Sequence, residues 1–161
     1  VPIVRLAVGL VKTERYTREN SQRVSKSKGG NFLFLPLSAQ ERTKLRGLKK
    51  TTCGIDVLLQ LPRTGPLLPG EILIGTNEFP LVKVEAAIEE LIQVEAISSL
   101  ELMKASYHLG NRHVELEIHD QKLFLLKDPV LESMLTKRGL NLKNVKKPFH
   151  PEPGAYSDSH R

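Results

Sequence analysis

Residues 107–120, which read YHLGNRHVELEIHD, contain three of the five histidines in the chain. A helix is predicted to end at Leu109, with Gly110 as the left-handed residue that closes it. An alternating pattern typical of a half-buried strand follows, and its apolar members are Val114, Leu116 and Ile118. The same alternation places His113 on the polar face, together with Glu115, Glu117 and His119. The stretch therefore predicts a histidine at a helix-to-strand junction, pointing away from the core.

The residues around this stretch predict alternating strands and helices. Strands are predicted at residues 89–97, 114–118, 123–126 and 140–145. Ser98 caps the first helix, and the apolar residues that form its predicted core face are Leu100, Met103 and Tyr107. Asp128 and Pro129 begin the second helix, and Gly139 ends it. The order βαββαβ predicts a ferredoxin-like domain, with two helices on one face of a four-stranded antiparallel sheet.

The N-terminal half carries strand and turn signals instead. Strands are predicted at residues 32–37, 55–61, 71–75 and 81–87. Ser38 and Glu41 form a capping box over one short turn of helix, and residues 51–54, TTCG, are typical of a hairpin turn. The predicted fold class is therefore α+β, in four parts: an unassigned segment at 1–30, a small all-β domain at 31–87, the ferredoxin-like domain at 88–147, and a flexible, His-containing tail at 148–161.

The composition predicts a cytoplasmic protein. Cys53 is the only cysteine, which excludes an internal disulfide framework and a cysteine-rich zinc site. No run approaches the ~20 apolar residues that cross a bilayer, so no membrane partner is expected. The formal charge of +6 fits an acidic partner, such as nucleic acid or an acidic protein surface, as well as plain solubility.

Histidine offers the clearest chemistry in the sequence. Motifs of serine hydrolases, P-loop proteins and HExxH metalloproteases are absent, whereas a neutral imidazole can bind nickel, copper or zinc. His113 and His119 are separated by about 20 Å along a strand at ~3.3 Å per residue, so they cannot bind one ion together. A two-fold axis would bring two copies of His113 together, and His150 or His160 of the tail could complete such a site.

The string YHLGNRH resembles the signature of the UreE family of urease accessory proteins, which are nickel metallochaperones. The resemblance covers residues 33–156. Its other segments are FLPLSAQERTKLRG at 34–47, VLLQLPRTGPLLPGEIL at 57–73 and PFHPEPGAY at 148–156.

This resemblance implies a non-enzymatic homodimer that carries Ni(II), with His113 as the essential ligand and with His160 and His150 as further metal ligands. Zn(II) or Cu(II) is expected to bind the same site. The implied partners are urease apoprotein and the urease accessory GTPase, and the implied N-terminal domain is peptide-binding-like. Lys127 and Pro129 stand where many members carry a further pair of histidines, so auxiliary metal storage is not expected.

Two other functions fit parts of the sequence. A basic ferredoxin-like domain could be an RNA-binding module, but Glu115 and Glu117 on the polar strand face would repel phosphate. Asn111 and Arg112 would suit an acylphosphatase-like hydrolase, which also needs a glycine-rich anion cradle that the sequence lacks. Nucleic acid is therefore not expected as a partner.

Overall fold

The computed structural model describes residues 13–15, 32–63, 65–75 and 81–154. The chain divides into two compact units, Val1–Ala86 and Ala87–Arg161. Strands predominate and helices are few, which confirms the mixed α+β class. Within the described ranges, no helix is long and apolar enough to cross a membrane.

The described part of the first unit contains a six-stranded sheet and one short helix. Its elements are β1 (Thr13–Arg15), β2 (Phe32–Leu37), α1 (Ala39–Arg42), β3 (Arg46–Lys50), β4 (Asp56–Gln60), β5 (Ile72–Gly75) and β6 (Leu81–Ala86). The strand order is β2-β6-β5-β1-β4-β3. β2 pairs with β6, and β1 with β4, in parallel, whereas the other neighbours are antiparallel. A core of leucine and valine side chains, including Leu35, Leu59 and Val84, holds this sheet.

Two strands of this sheet lie outside the sequence prediction. β1 falls in the segment 1–30, which the prediction left unassigned, yet its backbone lies between β5 and β4. β3 has the sequence RGLKK, in which charged residues replace the alternating apolar pattern that predicts a strand. Charged residues are common on the edge strand of a sheet. The rest of residues 1–30 lies outside the described residues.

The predicted capping box at α1 is confirmed. Ser38 Oγ accepts a hydrogen bond from Glu41 N at 3.1 Å, and a Glu41 carboxylate oxygen accepts one from Ser38 N at 3.0 Å. Lys49 Nζ lies 2.8 Å from the other carboxylate oxygen. This hydrogen bond from Lys49, together with the one from Ser38, holds the pKa of Glu41 below its ordinary value.

Up to residue 154, the second unit contains a four-stranded antiparallel sheet and two helices. Its elements are β7 (Ile88–Glu95), α2 (Ser99–Gly110), β8 (Glu117–His119), β9 (Lys122–Leu126), α3 (Pro129–Lys137) and β10 (Asn141–Pro148). The strand order is β10-β7-β9-β8. Both helices pack on one face of the sheet, because their buried side chains share a core with residues such as Ile92, Leu123 and Leu125.

The predicted core face of α2 is wrong. Leu100, Met103 and Tyr107 are 54%, 61% and 67% exposed, and the buried residues of the helix are Leu102, Ala105 and Leu109. Both sets have helical spacing, so the spacing alone does not decide which of them is buried. The structure instead packs the set that contains the small residue Ala105, and it leaves an apolar face of α2 in solvent.

Candidate metal centre

The turn after α2 places His113 in a left-handed conformation. Its φ angle is 57°, and it is the only non-glycine residue with a positive φ in the described part of the chain. His113 N donates to Gly110 O at 2.9 Å, and Val114 N donates to Leu109 O at 3.1 Å. This pair of bonds is a Schellman motif, in which the left-handed position is usually glycine. The prediction that Gly110 closes the helix is therefore wrong, because Gly110 is helical and His113 takes that role.

The second helix of the same unit provides a direct comparison. After α3, Gly139 N donates to Thr136 O at 2.9 Å, and Leu140 N donates to Leu135 O at 3.3 Å. Gly139 has a φ of 78° and occupies the position equivalent to His113. A side chain in this conformation costs about 1–2 kcal/mol, which glycine avoids. Such strain is concentrated at functional positions, where a particular side chain is needed.

The segment after His113 differs from the predicted strand. β8 begins at Glu117 rather than at residue 114, so the alternation does not extend back to His113. His113 is exposed because it belongs to the turn formed with Asn111 and Arg112, both of which are also exposed. The imidazole is therefore accessible, although for a different reason from the one predicted.

Glu117 is buried, whereas the sequence predicted an outward-facing acid. Glu117 on β8 is the register partner of Phe124 on β9. Leu123 and Leu125 of β9 face the helices, so Phe124 and Glu117 lie on the opposite face of the sheet. Its carboxylate accepts hydrogen bonds from Lys147 Nζ, from His119 Nε2 at 2.8 Å and from the backbone N of His150 at 2.9 Å. Burial raises the pKa of Glu117, but these hydrogen bonds and the charge of Lys147 outweigh it, so the pKa lies below its ordinary value.

The chain after β10 crosses the helix-free face of the sheet. Pro148 pairs with Ile88 beside β7, whereas Glu152 N donates to Leu116 O, next to β8, at 2.7 Å. Phe149 lies between these points with no exposed surface. The last strand was predicted to end at residue 145 and the tail to begin at residue 148. Instead β10 continues to Pro148, and residues 149–152 are anchored by burial and hydrogen bonds.

This crossing fixes the start of the C-terminal segment near His113. Glu152 is bonded to Leu116, which is three residues beyond His113. Because consecutive Cα atoms are 3.8 Å apart, the Cα atoms of Leu116 and His113 lie within about 11 Å of each other. The side chain of His150 is exposed on this anchored segment, and the predicted ligand His160 lies outside the described residues.

The described residues contain no group of three or more histidine, cysteine, aspartate or glutamate side chains that could hold a metal ion. His119 is hydrogen-bonded to Glu117, and its ring lies edge-on to Phe124 at 5.3 Å. His108 is half-buried, with its ring 5.6 Å from that of Tyr107. The remaining candidate ligands are the exposed imidazoles of His113 and His150. The described part of one chain therefore provides only part of a metal site.

Replacing Glu117 by glutamine is expected to lower the free energy of unfolding by about 1–3 kcal/mol, because Lys147 loses its buried anionic partner. The anchored segment should loosen at the same time. Urea denaturation at pH 7 and hydrogen exchange at the amides of His150 and Glu152 would measure both effects. Glu115→Gln, which changes an exposed acid of the same stretch, is the control. An equal loss in both variants would contradict an anchoring role for Glu117.

Comparisons with known proteins identify the family of the chain. The family model described as UreE urease accessory protein, C-terminal domain, matches residues 89–161. The urease accessory protein UreE of Synechococcus sp. (strain WH7805) is 56% identical over 127 residues, which are 79% of this chain and 73% of that protein. UreE of Parasynechococcus marenigrum (strain WH8102) is 54% identical over 125 residues, covering 78% and 83%. UreE of Synechococcus sp. (strain CC9311) is 57% identical over 122 residues, covering 76% and 79%. The chain therefore belongs to the UreE family of urease accessory proteins, which confirms the resemblance carried by YHLGNRH and the prediction that it is not an enzyme.

Proposed function

We propose that this chain is a nickel metallochaperone, which binds Ni(II) and delivers it to urease apoprotein during assembly of the urease active site. The observation that carries the proposal is the left-handed conformation of His113. Glycine would fit this position better, as Gly139 does after α3, so the histidine contributes its imidazole at the expense of the fold. Imidazole is a suitable ligand for Ni(II).

The metal is proposed to bind between two copies of the chain. A single imidazole holds a metal ion weakly, and the described part of one chain has no cluster of three ligating side chains. A two-fold axis near the turn at residues 111–113 would direct two His113 imidazoles to one ion. The exposed position of this turn allows that approach.

The apolar face of α2 supports the homodimer. Leu100, Met103 and Tyr107 follow one side of the helix and are more than half exposed. α2 leads directly into the turn that carries His113, so pairing this face between two copies would bring the two turns close together. Apolar side chains grouped in this way are typical of protein interfaces.

The C-terminal segment is proposed to supply a further metal ligand, which leaves the ion when the ion is transferred. His150 lies on the anchored part of this segment, and His160 follows ten residues later in the sequence. A ligand on a connecting segment can bind the ion beside the His113 pair and leave when the ion is transferred. The proposed ligands are therefore His113 from both copies, with His160 or His150 added.

The proposal extends to the rest of the chain. The strand order β10-β7-β9-β8 supports a ferredoxin-like domain at residues 88–147, and the peptide-binding-like domain that the family resemblance implies at residues 31–87 is proposed to include β1 as well, because β1 lies inside its sheet. The proposed partners are urease apoprotein and the urease accessory GTPase, in the cytoplasm. Zn(II) and Cu(II) compete for the site, because divalent affinities reach their maximum at copper.

Titration calorimetry with Ni(II) tests the proposal. The wild type is expected to bind one ion tightly per two chains, and His113→Ala is expected to lose this binding. Truncation after Tyr156 should weaken it by removing His160, and His119→Ala should leave it unchanged. Nickel-loaded wild type, but not His113→Ala, should then activate urease apoprotein in the presence of the GTPase. Tight nickel binding by His113→Ala would refute the proposed site.

A further inference from the structure

One buried carboxylate connects the first and last strands of the sheet in the second unit. Glu117 begins β8, and Lys147 lies near the end of β10. β7 and β9 lie between these strands, so β8 and β10 are about 14 Å apart at ~4.8 Å per strand. The two side chains nevertheless form an ion pair, and the Lys147 ammonium lies 3.9 Å from the centroid of the Phe124 ring on β9. The pair therefore spans the helix-free face of the sheet.

The same carboxylate holds the anchored segment, residues 149–152. The carboxylate oxygen that does not face the ammonium accepts a hydrogen bond from the backbone N of His150 at 2.9 Å. On one side of this bond, Phe149 has no exposed surface. On the other side, Glu152 N donates to Leu116 O at 2.7 Å. The carboxylate therefore supplies the central one of three attachments that fix the path of the segment.

This path decides at which edge of the sheet the proposed C-terminal ligands lie. β10 forms one edge, whereas the chain from His113 enters β8 at the other edge. Because the anchored segment crosses between them, His150 lies at the Glu117 carboxylate, and Glu152 is bonded to the residue before β8. His160 follows eight residues after Glu152, which gives it a maximum reach of about 28 Å. Both proposed ligands therefore start from the edge that leads to His113.

We propose that Glu117 is a positioning residue for nickel binding, which acts by holding the segment that carries His150 and leads to His160. The proposal rests on the proposed function, because Glu117 acts only through these two ligands. The carboxylate is buried and accepts three hydrogen bonds, so it is not itself a ligand. The third donor, His119, belongs to β8 and holds no part of the segment, which agrees with the unchanged nickel binding expected of His119→Ala.

A double-mutant cycle measured by calorimetry with Ni(II) tests this role on the full chain. Glu117→Gln replaces one acceptor oxygen by an amide that donates, so the hydrogen bond from Lys147 or from the backbone N of His150 is lost. Nickel binding should weaken about tenfold, as it does when an outer partner of a metal ligand is removed. In the background His150→Ala with His160→Ala, the same substitution should change nickel affinity less than about twofold, because the segment carries no ligand.

Hydrogen exchange and a matched control complete the experiment. Because coupling between two sites is reciprocal, bound Ni(II) should slow exchange at the amides of residues 150 and 152 about tenfold in the wild type, but not in the background without the two histidines. Glu115→Gln removes an exposed acid two positions away and should leave nickel affinity unchanged. If circular dichroism shows that Glu117→Gln is unfolded, Phe149→Leu, which shrinks the buried side chain of the segment, should weaken nickel binding only when the two histidines are present.

Three results would overturn the positioning role and leave the proposed function intact. Wild-type nickel affinity in Glu117→Gln would mean that the ligands do not need the carboxylate. Equal weakening in both backgrounds would mean that Glu117 acts through the stability of the whole unit. Wild-type affinity in His150→Ala with His160→Ala would leave no ligand for Glu117 to position. Failure of the proposed function differs from all three, because His113→Ala would then bind nickel as tightly as the wild type.

Discussion

Replacing His113 by glycine is expected to abolish tight nickel binding and to stabilise the fold at the same time. Glycine relieves the left-handed strain of about 1–2 kcal/mol, and part of this gain is offset by the greater freedom of glycine in the unfolded chain. We therefore expect the metal-free variant to be about 0.5–1 kcal/mol more stable than the wild type. Nickel affinity should fall at least about 100-fold. Urea denaturation without metal and calorimetry with Ni(II) would measure the two effects.

Two further variants distinguish the effect of backbone strain on stability from the effect of the imidazole on nickel binding. His113→Ala should lose nickel as well but gain no stability, because alanine is strained in the same conformation. Gly139→Ala places a side chain at the equivalent position after α3, where φ is 78°. It should lower stability by about 1 kcal/mol and leave nickel binding unchanged. A glycine variant at residue 113 that is less stable than the wild type would show that His113 supports the fold.

Charging the exposed face of α2 is expected to separate the proposed dimer into monomers. Met103→Glu with Tyr107→Glu would place four carboxylates in the proposed interface, where they would be buried without partners. The dimer dissociation constant should rise more than about 100-fold, and nickel affinity should fall with it because the two His113 side chains no longer meet. Sedimentation velocity and nickel titration of the same samples would measure both effects.

The control for this experiment is on the other helix of the second unit. Val130 is 70% exposed on α3, and Val130→Glu with Ser133→Glu adds the same charge there. This variant should remain dimeric and bind nickel normally. The proposed interface would be wrong if the α2 variant stayed dimeric, or if both variants dissociated equally.

Helix caps and turns could be predicted from the sequence, because each depends on residues that lie only a few positions apart in the chain. The capping box at Ser38, the cap at Asp128 and the left-handed Gly139 lie at the predicted helix ends. β1 was missed because three charged or polar residues, TER, give no strand pattern by themselves and are held by pairing with β5 and β4. The buried face of α2 depends on packing in the second unit, which helical spacing alone does not decide.

The candidate site was predicted in part. The motif YHLGNRH led to His113 as the candidate ligand, a role that stays a prediction, but the left-handed turn was assigned to the glycine at position 110, since glycine is the usual residue there. Glu117 was predicted as an exposed acid because its partners, Lys147 and His150, lie 30 and 33 residues away in the sequence. Since Glu117 is buried and its charge is paired with Lys147, it contributes less to the repulsion of phosphate that argued against RNA binding.

The anchoring of Glu152 beside Leu116 affects how the protein should be purified. A hexahistidine tag added after Arg161 would begin ten residues beyond Glu152, within reach of the turn that carries His113. Its imidazoles would compete for Ni(II), so the apparent stoichiometry of such a preparation would include the tag. A removable tag at the other end of the chain avoids this artefact.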